Sequence, residues 1–295
     1  MKPRLFMHTA LFLLAALLPP APAQAGETII YEKTTAYGPL IVSEDENGSR
    51  IMRFEKYGAR QSVVKPGDPE HLELAYAKTA FSGLALSSQP NRFLIIGVGG
   101  GTLPMFLRKH YPEATIDAVD ISPDVVQVAK QYFGFREDER MRAHVDDGRA
   151  FIEKVRQPYD VIFLDAFGSD SVPAHLTTQE FLSAVRRAVK ADGVVVGNLW
   201  GRNSNTLYDA MIRTYQEVFE DLYVLEVRGA GNMIVLALPR NQPLDREEMA
   251  EAARKVSTAK AFRFSLGEMV NYGFLHAREK NPGVWVLRDP PAQKR

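Results

Sequence analysis

Residues 93–102 read FLIIGVGGGT, a short apolar run followed at once by a turn rich in glycine. A run such as Phe93–Ile96, without polar side chains, is typical of a parallel strand buried on both faces. The glycines permit a tight turn and close approach of backbone amides to a ligand, although such a turn also serves simply to pack a helix on a strand. Thr102 stands where a dinucleotide-binding pattern has its third glycine, which argues against NAD.

Downstream of this stretch the chain alternates between apolar runs and amphipathic helical patterns. Seven strands are predicted: Phe93–Ile96, Thr115–Val119, Met141–Val145, Val161–Leu164, Val194–Gly197, Leu222–Val227 and Met233–Leu238. Only residues 228–232 join the last two strands, so they form a hairpin and the final strand runs antiparallel. The predicted fold class is α/β, a doubly wound, mostly parallel seven-stranded sheet of the Rossmann-like type found in class I S-adenosylmethionine-dependent transferases.

The segments on either side of this sheet have different patterns. Short alternating runs separated by turn residues predict a small antiparallel β-unit, and Leu72–Leu86 has the apolar spacing of a helix. Another helix is expected from about Asp245 to Lys255. We therefore expect a β-unit over residues 26–70, the α/β domain over 71–240, and a C-terminal helix and tail over 241–295.

The first 25 residues have the features of a signal peptide. Lys2 and Arg4 precede an apolar run at residues 10–18, and Ala23 and Ala25 supply the small side chains of a cleavage site. An uncleaved anchor is the alternative, but a bilayer span takes about 20 apolar residues and this run is much shorter. The sequence predicts an exported, periplasmic or secreted product with no membrane association after cleavage.

Composition excludes several classes of function. Lys and Arg total 36 and Asp and Glu total 36, so the chain lacks the basic excess of a nucleic-acid-binding protein. With no cysteine there is no disulfide and no thiol catalysis, and the six histidines lack the spacing of metal ligands. We expect neither a nucleic-acid partner nor a metal.

Acidic residues follow three successive strands of the predicted sheet. Asp120 ends the second strand, 23 residues beyond Gly97, a spacing that suits ribose hydroxyls. Asp146 and Asp147 follow the third strand, where an acid can accept a bond from an adenine amino group, and Asp165 follows the fourth. Because the carboxyl ends of parallel strands meet at one edge, these acids predict a nucleoside site; ordinary surface acids are the alternative.

Three stretches resemble the spermidine synthase family of aminopropyltransferases. They are residues 93–133, then HVDDGRAFI at 144–152 and YDVIFLDAFGSDSVPAHLTTQEFL at 159–182, and the resemblance extends over about residues 72–240. It implies a small β-unit before a class I transferase domain. It also implies decarboxylated S-adenosylmethionine as co-substrate, a putrescine-like amine as acceptor and, by analogy, a homo-oligomer.

The resemblance also assigns roles to individual residues. The implied cofactor-binding residues are Gly97, Gly99, Gly101, Asp120, Asp146, Asp147 and Gly148. Asp165 matches the catalytic acid of the family and is implied as the general base, with Asp170 as a second acid of the same loop. Tyr76 joins these two acids in binding the amine substrate. A solvated loop acid is the alternative for Asp170.

The chain departs from the family pattern at several places, three of which lie at or beside the predicted site residues. Gly100 stands where the family turn carries an acid, Asp165 and Asp170 lie five apart instead of three, and Ala77 and Lys78 replace the usual residues after Tyr76. Two alternatives therefore stay open. One is a methyltransferase that uses S-adenosylmethionine, which the missing acid at position 100 favours; the other is a non-catalytic periplasmic binder of polyamines or nucleosides.

Overall fold

The computed structural model describes residues 26–168 and 171–291. The predicted signal peptide and Asp170 lie outside the described residues. Within these two ranges, the helices are all too short or too polar to cross a membrane.

A small antiparallel sheet opens the described chain. Its strands run in the order β1 (Glu27–Thr35), β2 (Gly38–Asp45), β3 (Arg50–Arg53) and β4 (Ser62–Val64). One face, with Leu40, Val42 and Met52, packs on Val125 and Phe133 of the larger domain. Burying apolar side chains from both units in one cluster fixes the small sheet against the domain that follows it.

The larger sheet has eight strands, one more than predicted. They are β5 (Arg92–Ile96), β6 (Thr115–Asp120), β7 (Met141–Val145), β8 (Tyr159–Leu164), β9 (Val189–Trp200), β10 (Asp221–Glu226), β11 (Asn232–Leu238) and β12 (Phe274–His276). Their spatial order is β12-β10-β11-β9-β8-β5-β6-β7. The strands from β5 to β9 pair in parallel, whereas β11 runs antiparallel to both β9 and β10. The predicted fold class is confirmed.

Helices cover both faces of this sheet. They are α1 (Ala75–Ala80), α2 (Thr102–His110), α3 (Pro123–Tyr132), α4 (Gly148–Glu153), α5 (Gln179–Ala188), α6 (Tyr208–Val218), α7 (Arg246–Ala259) and α8 (Leu266–Tyr272). Alternate residues of β5 enter different cores: Phe93 and Ile95 belong to one cluster, and Leu94 and Ile96 to the other. This burial on both faces explains why Phe93–Ile96 contains no polar side chain, whereas Arg92, at the start of the strand, is partly exposed.

The single helix predicted over residues 72–86 is wrong in extent. The chain forms only α1 there, and a 3-10 helix, Phe81–Leu86, follows directly. A Cβ atom at Gly83 would lie 2.5 Å from Cγ2 of Val196, so the glycine lets this segment pack closely on β9. Glycine also weakens an α-helix, and tertiary packing therefore outweighs the helical spacing of the sequence.

The C-terminal strap, residues 277–289, crosses the outside of the domain after β12. The amide of Gln179 donates to the carbonyl of Leu287 at 2.8 Å. Further on, the Asp289 carboxylate accepts two bonds from the Arg149 guanidinium, at 2.7 and 2.6 Å. The strap thereby ties the end of the described chain to α4, beside the acids that follow β7.

Candidate active site

The glycine loop after β5 has a backbone that only glycine adopts readily. Gly97, Gly99 and Gly101 have φ values of +104°, +52° and +81°. The amide of Gly97 donates to the carbonyl of Val119 at 2.8 Å, which holds the loop against the end of β6. The glycine-rich stretch therefore forms a constrained turn at the carboxyl edge of the sheet.

The side chain of Asp120, at the end of β6, is hydrogen-bonded to the backbone of this loop. Its Oδ2 accepts the amide of Val98 at 3.0 Å, and its Oδ1 accepts the amide of Ser122 at 2.9 Å. Burial raises the pKa of Asp120, and the backbone amides bonded to its carboxylate oppose that rise. The carboxylate thus organises the turn from which a nucleoside would be bound.

Asp147 lies at the start of α4 and caps it. Its Oδ1 accepts the amide of Ala150 at 2.9 Å, and its Oδ2 lies 2.8 Å from Nε2 of His175. Burial acts to raise its pKa, but these two partners outweigh burial and the pKa falls below the usual value. The neighbouring acid, Asp146, donates its amide to the carbonyl of Asp120 at 3.1 Å, which connects the ends of β6 and β7.

Gly148, the first residue of α4, has a packing role. A Cβ atom there would lie 2.5 Å from Cγ2 of Ile96. The glycine therefore lets α4 start directly against the end of β5, which keeps Asp147 close to the loop.

Asp165 is the polar residue that follows β8. Its amide donates to the carbonyl of Ile96 at 2.8 Å, so its backbone is fixed to the end of β5. Tyr76 Oη donates to its Oδ2 at 3.0 Å, and Asn198 Nδ2 donates to its Oδ1 at 2.8 Å. Burial raises the pKa of this carboxyl to about 7, although both hydrogen bonds favour the charged form. Burial and the nearby carboxylate raise the pKa of the Tyr76 phenol well above its ordinary value, so it stays a donor.

The structure brings most of the predicted site residues to one edge of the sheet. Asp120 and Asp165 flank the glycine loop, Tyr76 contacts Asp165, and Asp147 joins the group through Asp146. Residues 26–168 and 171–291 contain no group of three or more His, Asp or Glu side chains placed to hold a metal ion.

Three polar side chains of the site were not among the predicted site residues. His175 contacts Asp147, Asn198 contacts Asp165, and Asn232 donates to Asn198 Oδ1 at 2.9 Å. Asn198 lies near the end of a parallel strand, as the predicted acids do, so the rule used for those acids could have found it.

At Gly100, where the family pattern has an acid, neighbouring residues fill the space that a side chain would need. A Cβ atom there would lie 2.8 Å from Cδ1 of Phe133 and 2.8 Å from Oγ of Ser62. Ser62 belongs to β4 of the small sheet, and its hydroxyl lies 3.1 Å from that of Thr102. A carboxylate at position 100 would require these neighbours to shift.

An open sheet of this strand order, with acids at adjacent strand ends around a glycine turn, has the architecture of the class I transferases. The family model of the spermine/spermidine synthase domain matches residues 75–225. A polyamine aminopropyltransferase from Vibrio vulnificus is 34% identical over 252 residues, which cover 82% of this chain and 83% of that protein. The chain belongs to the spermine/spermidine synthase family.

Solved structures show the same architecture. Human methyltransferase-like protein 13 in complex with SAH is 32% identical, has a TM-score of 0.59, and is matched over 63% of this chain and 92% of that chain. A spermidine synthase in complex with the transition state analogue AdoDATO has a TM-score of 0.65 at 22% identity, covering 83% of this chain and 84% of that chain. At that lower identity, the second likeness concerns the fold alone.

Proposed function

We propose that the protein transfers an aminopropyl group from decarboxylated S-adenosylmethionine to a putrescine-like amine, with Asp165 as general base. The observation that carries the proposal is the state of the Asp165 carboxyl. It is half-buried at a strand end, both of its oxygens accept bonds from neutral donors, and its pKa is raised to about 7. A general base works best when its pKa lies near the working pH. The similarity to a named polyamine aminopropyltransferase supports the same reaction.

The chemistry suits these residue types. The ammonium form of the acceptor has no lone pair, so it first gives a proton to the Asp165 carboxylate. The free amine then attacks the carbon bonded to the sulfonium. A carbon–nitrogen bond forms, the carbon–sulfur bond breaks, and its electron pair neutralises the sulfur, which leaves a thioether nucleoside. The protonated Asp165 returns its proton to solvent.

The remaining acids would hold the nucleoside. In this proposal Asp120 binds the ribose hydroxyls and Asp147 the adenine amino group, while the carboxylates together favour a cationic sulfur compound. Their attachment to the glycine loop and to α4 fixes their positions before the ligand arrives, which lowers the cost of ordering the site.

A product assay with a matched variant tests the proposal. Purified protein is incubated with decarboxylated S-adenosylmethionine and a panel of amines, and products are identified by mass spectrometry. Asp165→Asn is expected to lower transfer at least 100-fold. The control is Asp117→Asn, because Asp117 also bonds a tyrosine hydroxyl, that of Tyr159 at 2.9 Å, but lies within β6. Transfer that is absent with every amine, or that is lost equally in both variants, contradicts the proposal.

Methyl transfer from S-adenosylmethionine is a second candidate, favoured by one observation. Position 100 is glycine and carries no carboxylate, and a Cβ atom there would lie 2.8 Å from both Phe133 Cδ1 and Ser62 Oγ. S-adenosylmethionine carries a carboxylate that an acid at position 100 would repel. The likeness to a human methyltransferase structure in complex with SAH agrees with this candidate. Tighter calorimetric binding of S-adenosylmethionine than of the decarboxylated form, with a methylated product, would select it.

We also propose that the protein is exported, on the basis of the leader-like residues 1–25. Cell fractionation of the full chain and of a chain that lacks these residues tests the proposal. Export predicts a periplasmic or secreted product, shortened by the leader, only for the full chain. A full-length cytosolic product would contradict it.

A further inference from the structure

Two buried amide side chains lie in line with the proposed base. Asn198 on β9 is 5% exposed and Asn232 at the start of β11 is 6% exposed. Asn198 pairs with Ile234 of β11, and Asn232 lies two residues before Ile234. The side chains of Asn232 and Asn198 therefore lie on the same face of the sheet as diagonal neighbours. Buried amides are costly unless they are hydrogen-bonded, and both of these are.

The direction of the bonds along this line is defined. Asn232 Nδ2 donates to Asn198 Oδ1 at 2.9 Å, and Asn198 Nδ2 donates to Asp165 Oδ1 at 2.8 Å. A carboxamide accepts on one side and donates on the other. Because the Oδ1 atom of Asn198 accepts the bond from Asn232, its Nδ2 atom faces Asp165.

We propose that Asn232 is a positioning residue, which keeps the donating side of Asn198 toward Asp165 and thereby stabilises the carboxylate form of the base. This inference rests on the role given to Asp165 in the proposed function. If the Asn198 amide turned over, its oxygen would face Asp165, and only a protonated carboxyl could bond to it. The fold thus sets the protonation of the base from a residue that does not touch it.

The second side chain bonded to Asp165 acts on the other carboxylate oxygen and does not orient Asn198. Among the residues that the structure describes, Tyr76, from α1, is the titratable side chain in contact with the carboxyl, and its raised pKa keeps it a donor at neutral pH. Asn198, from β9, is neutral. The glycine loop contacts Asp165 through its backbone, since a Cβ atom at Gly97 would lie 2.3 Å from the Asp165 carbonyl oxygen.

The decisive variant is Asn232→Asp in the full chain. A carboxylate at this position cannot donate, so the Asn198 amide should turn its nitrogen toward it and its oxygen toward Asp165. The titration of Asp165 is followed by carbon-13 NMR of labelled aspartate carboxyls, with D165N identifying the signal. We expect the midpoint to rise by about one pH unit. As a matched control, Asn205→Asp adds a charge at a residue that bonds the Trp200 carbonyl, near the end of β9, and should leave the midpoint unchanged.

A double variant separates amide orientation from simple charge repulsion. In the N198L background Asn232 has no amide to orient, so adding N232D should no longer move the titration midpoint of Asp165. An equal rise in both backgrounds, or no rise in N232D, overturns the proposal. If N232D does not fold, N232L is measured instead, with an expected rise of about half a unit, and no rise is then the contrary result. These titrations do not require catalytic activity. An inactive wild-type protein would therefore contradict the proposed function, while the titrations would still test the positioning role of Asn232.

Discussion

Gly97 and Asp165 touch through their backbones: a Cβ atom on the glycine would lie 2.3 Å from the carbonyl oxygen of Asp165. The turn proposed to hold the nucleoside and the residue proposed to act as base therefore share one packed contact. Interiors packed this closely transmit displacements from one residue to the next. A side chain at position 97 would move the base as well as the loop.

Gly97→Ala should be far more harmful than an alanine at another glycine with positive φ. Gly97 combines a φ of +104° with the clash against Asp165, whereas Gly229 in the β10–β11 turn has a φ of +71° and open space around it. We expect G97A to lower the free energy of unfolding by about 3 kcal/mol or more and G229A by about 1 kcal/mol. Urea unfolding measures both values. Equal losses would show that backbone strain alone accounts for the effect.

Asp165→Asn should stabilise the protein at alkaline pH. Burial raises the pKa of Asp165 from 3.8 to about 7, so the folded state binds the proton more tightly than the unfolded chain does. Folded wild-type protein then loses stability as the pH rises from about 4 to about 7. The variant lacks this loss, and its Tm should exceed that of wild type by a few degrees at pH 8 but not at pH 4. A gain of equal size at both pH values would contradict the argument.

Tyr76→Phe should shift the pH dependence of transfer. Ionised Asp165 is the active form, so kcat/KM should rise with pH around a midpoint near 7. Removing the hydroxyl that donates to Oδ2 takes away a bond that favours the carboxylate, and the midpoint should move up by about one unit.

The control for this prediction is Tyr159→Phe. Its hydroxyl bonds Asp117 within β6 and does not touch Asp165, so the midpoint should stay where it is. A Y76F profile that superimposes on that of wild type would show that the tyrosine does not tune the base.

Asp289→Asn should detach the C-terminal strap from α4 without unfolding the domain. Asp289→Asn weakens a two-bond contact with Arg149 whose side chains are partly exposed, so the cost should be about 1 kcal/mol or less. Limited proteolysis should cut the strap sooner in D289N, while the sheet stays protected. Asp209→Asn, at the more exposed pair with Arg202, is the control and should leave the cleavage rate unchanged. Protection that is identical in all three proteins would argue against a tethering role for Arg149.

Those elements whose signal is local could be predicted from the sequence. Neighbouring residues determine the apolar run of β5 and the short β10–β11 link. The same is true of the cap of α3, because Ser122 stands directly before Pro123, a residue suited to the first helical position, and accepts the amide of Val125 at 3.3 Å. The acids at strand ends were found because parallel strands end on a common edge.

What the sequence did not show depends on pairing between distant strands. Strand β12 has only three residues, too few for an alternating pattern, and it forms because β10 offers an open edge. Asn232 reaches Asn198 only through the β9–β11 register, which sequence periodicity does not reveal. Thr177 and Glu180 have the spacing of a capping box in the sequence, but Thr178 caps α5 in the structure, its hydroxyl accepting the amide of Phe181 at 3.3 Å.

Ser62 reaches the glycine turn from a separate sheet, so under the proposed function the N-terminal unit would take part in selecting the donor. Exchanging that unit between relatives would replace the surface that now crowds position 100. Donor preference would then depend on both the N-terminal unit and the α/β domain. A chimera that receives only the α/β domain of a relative should therefore acquire that relative's nucleoside binding more faithfully than its choice of transferred group.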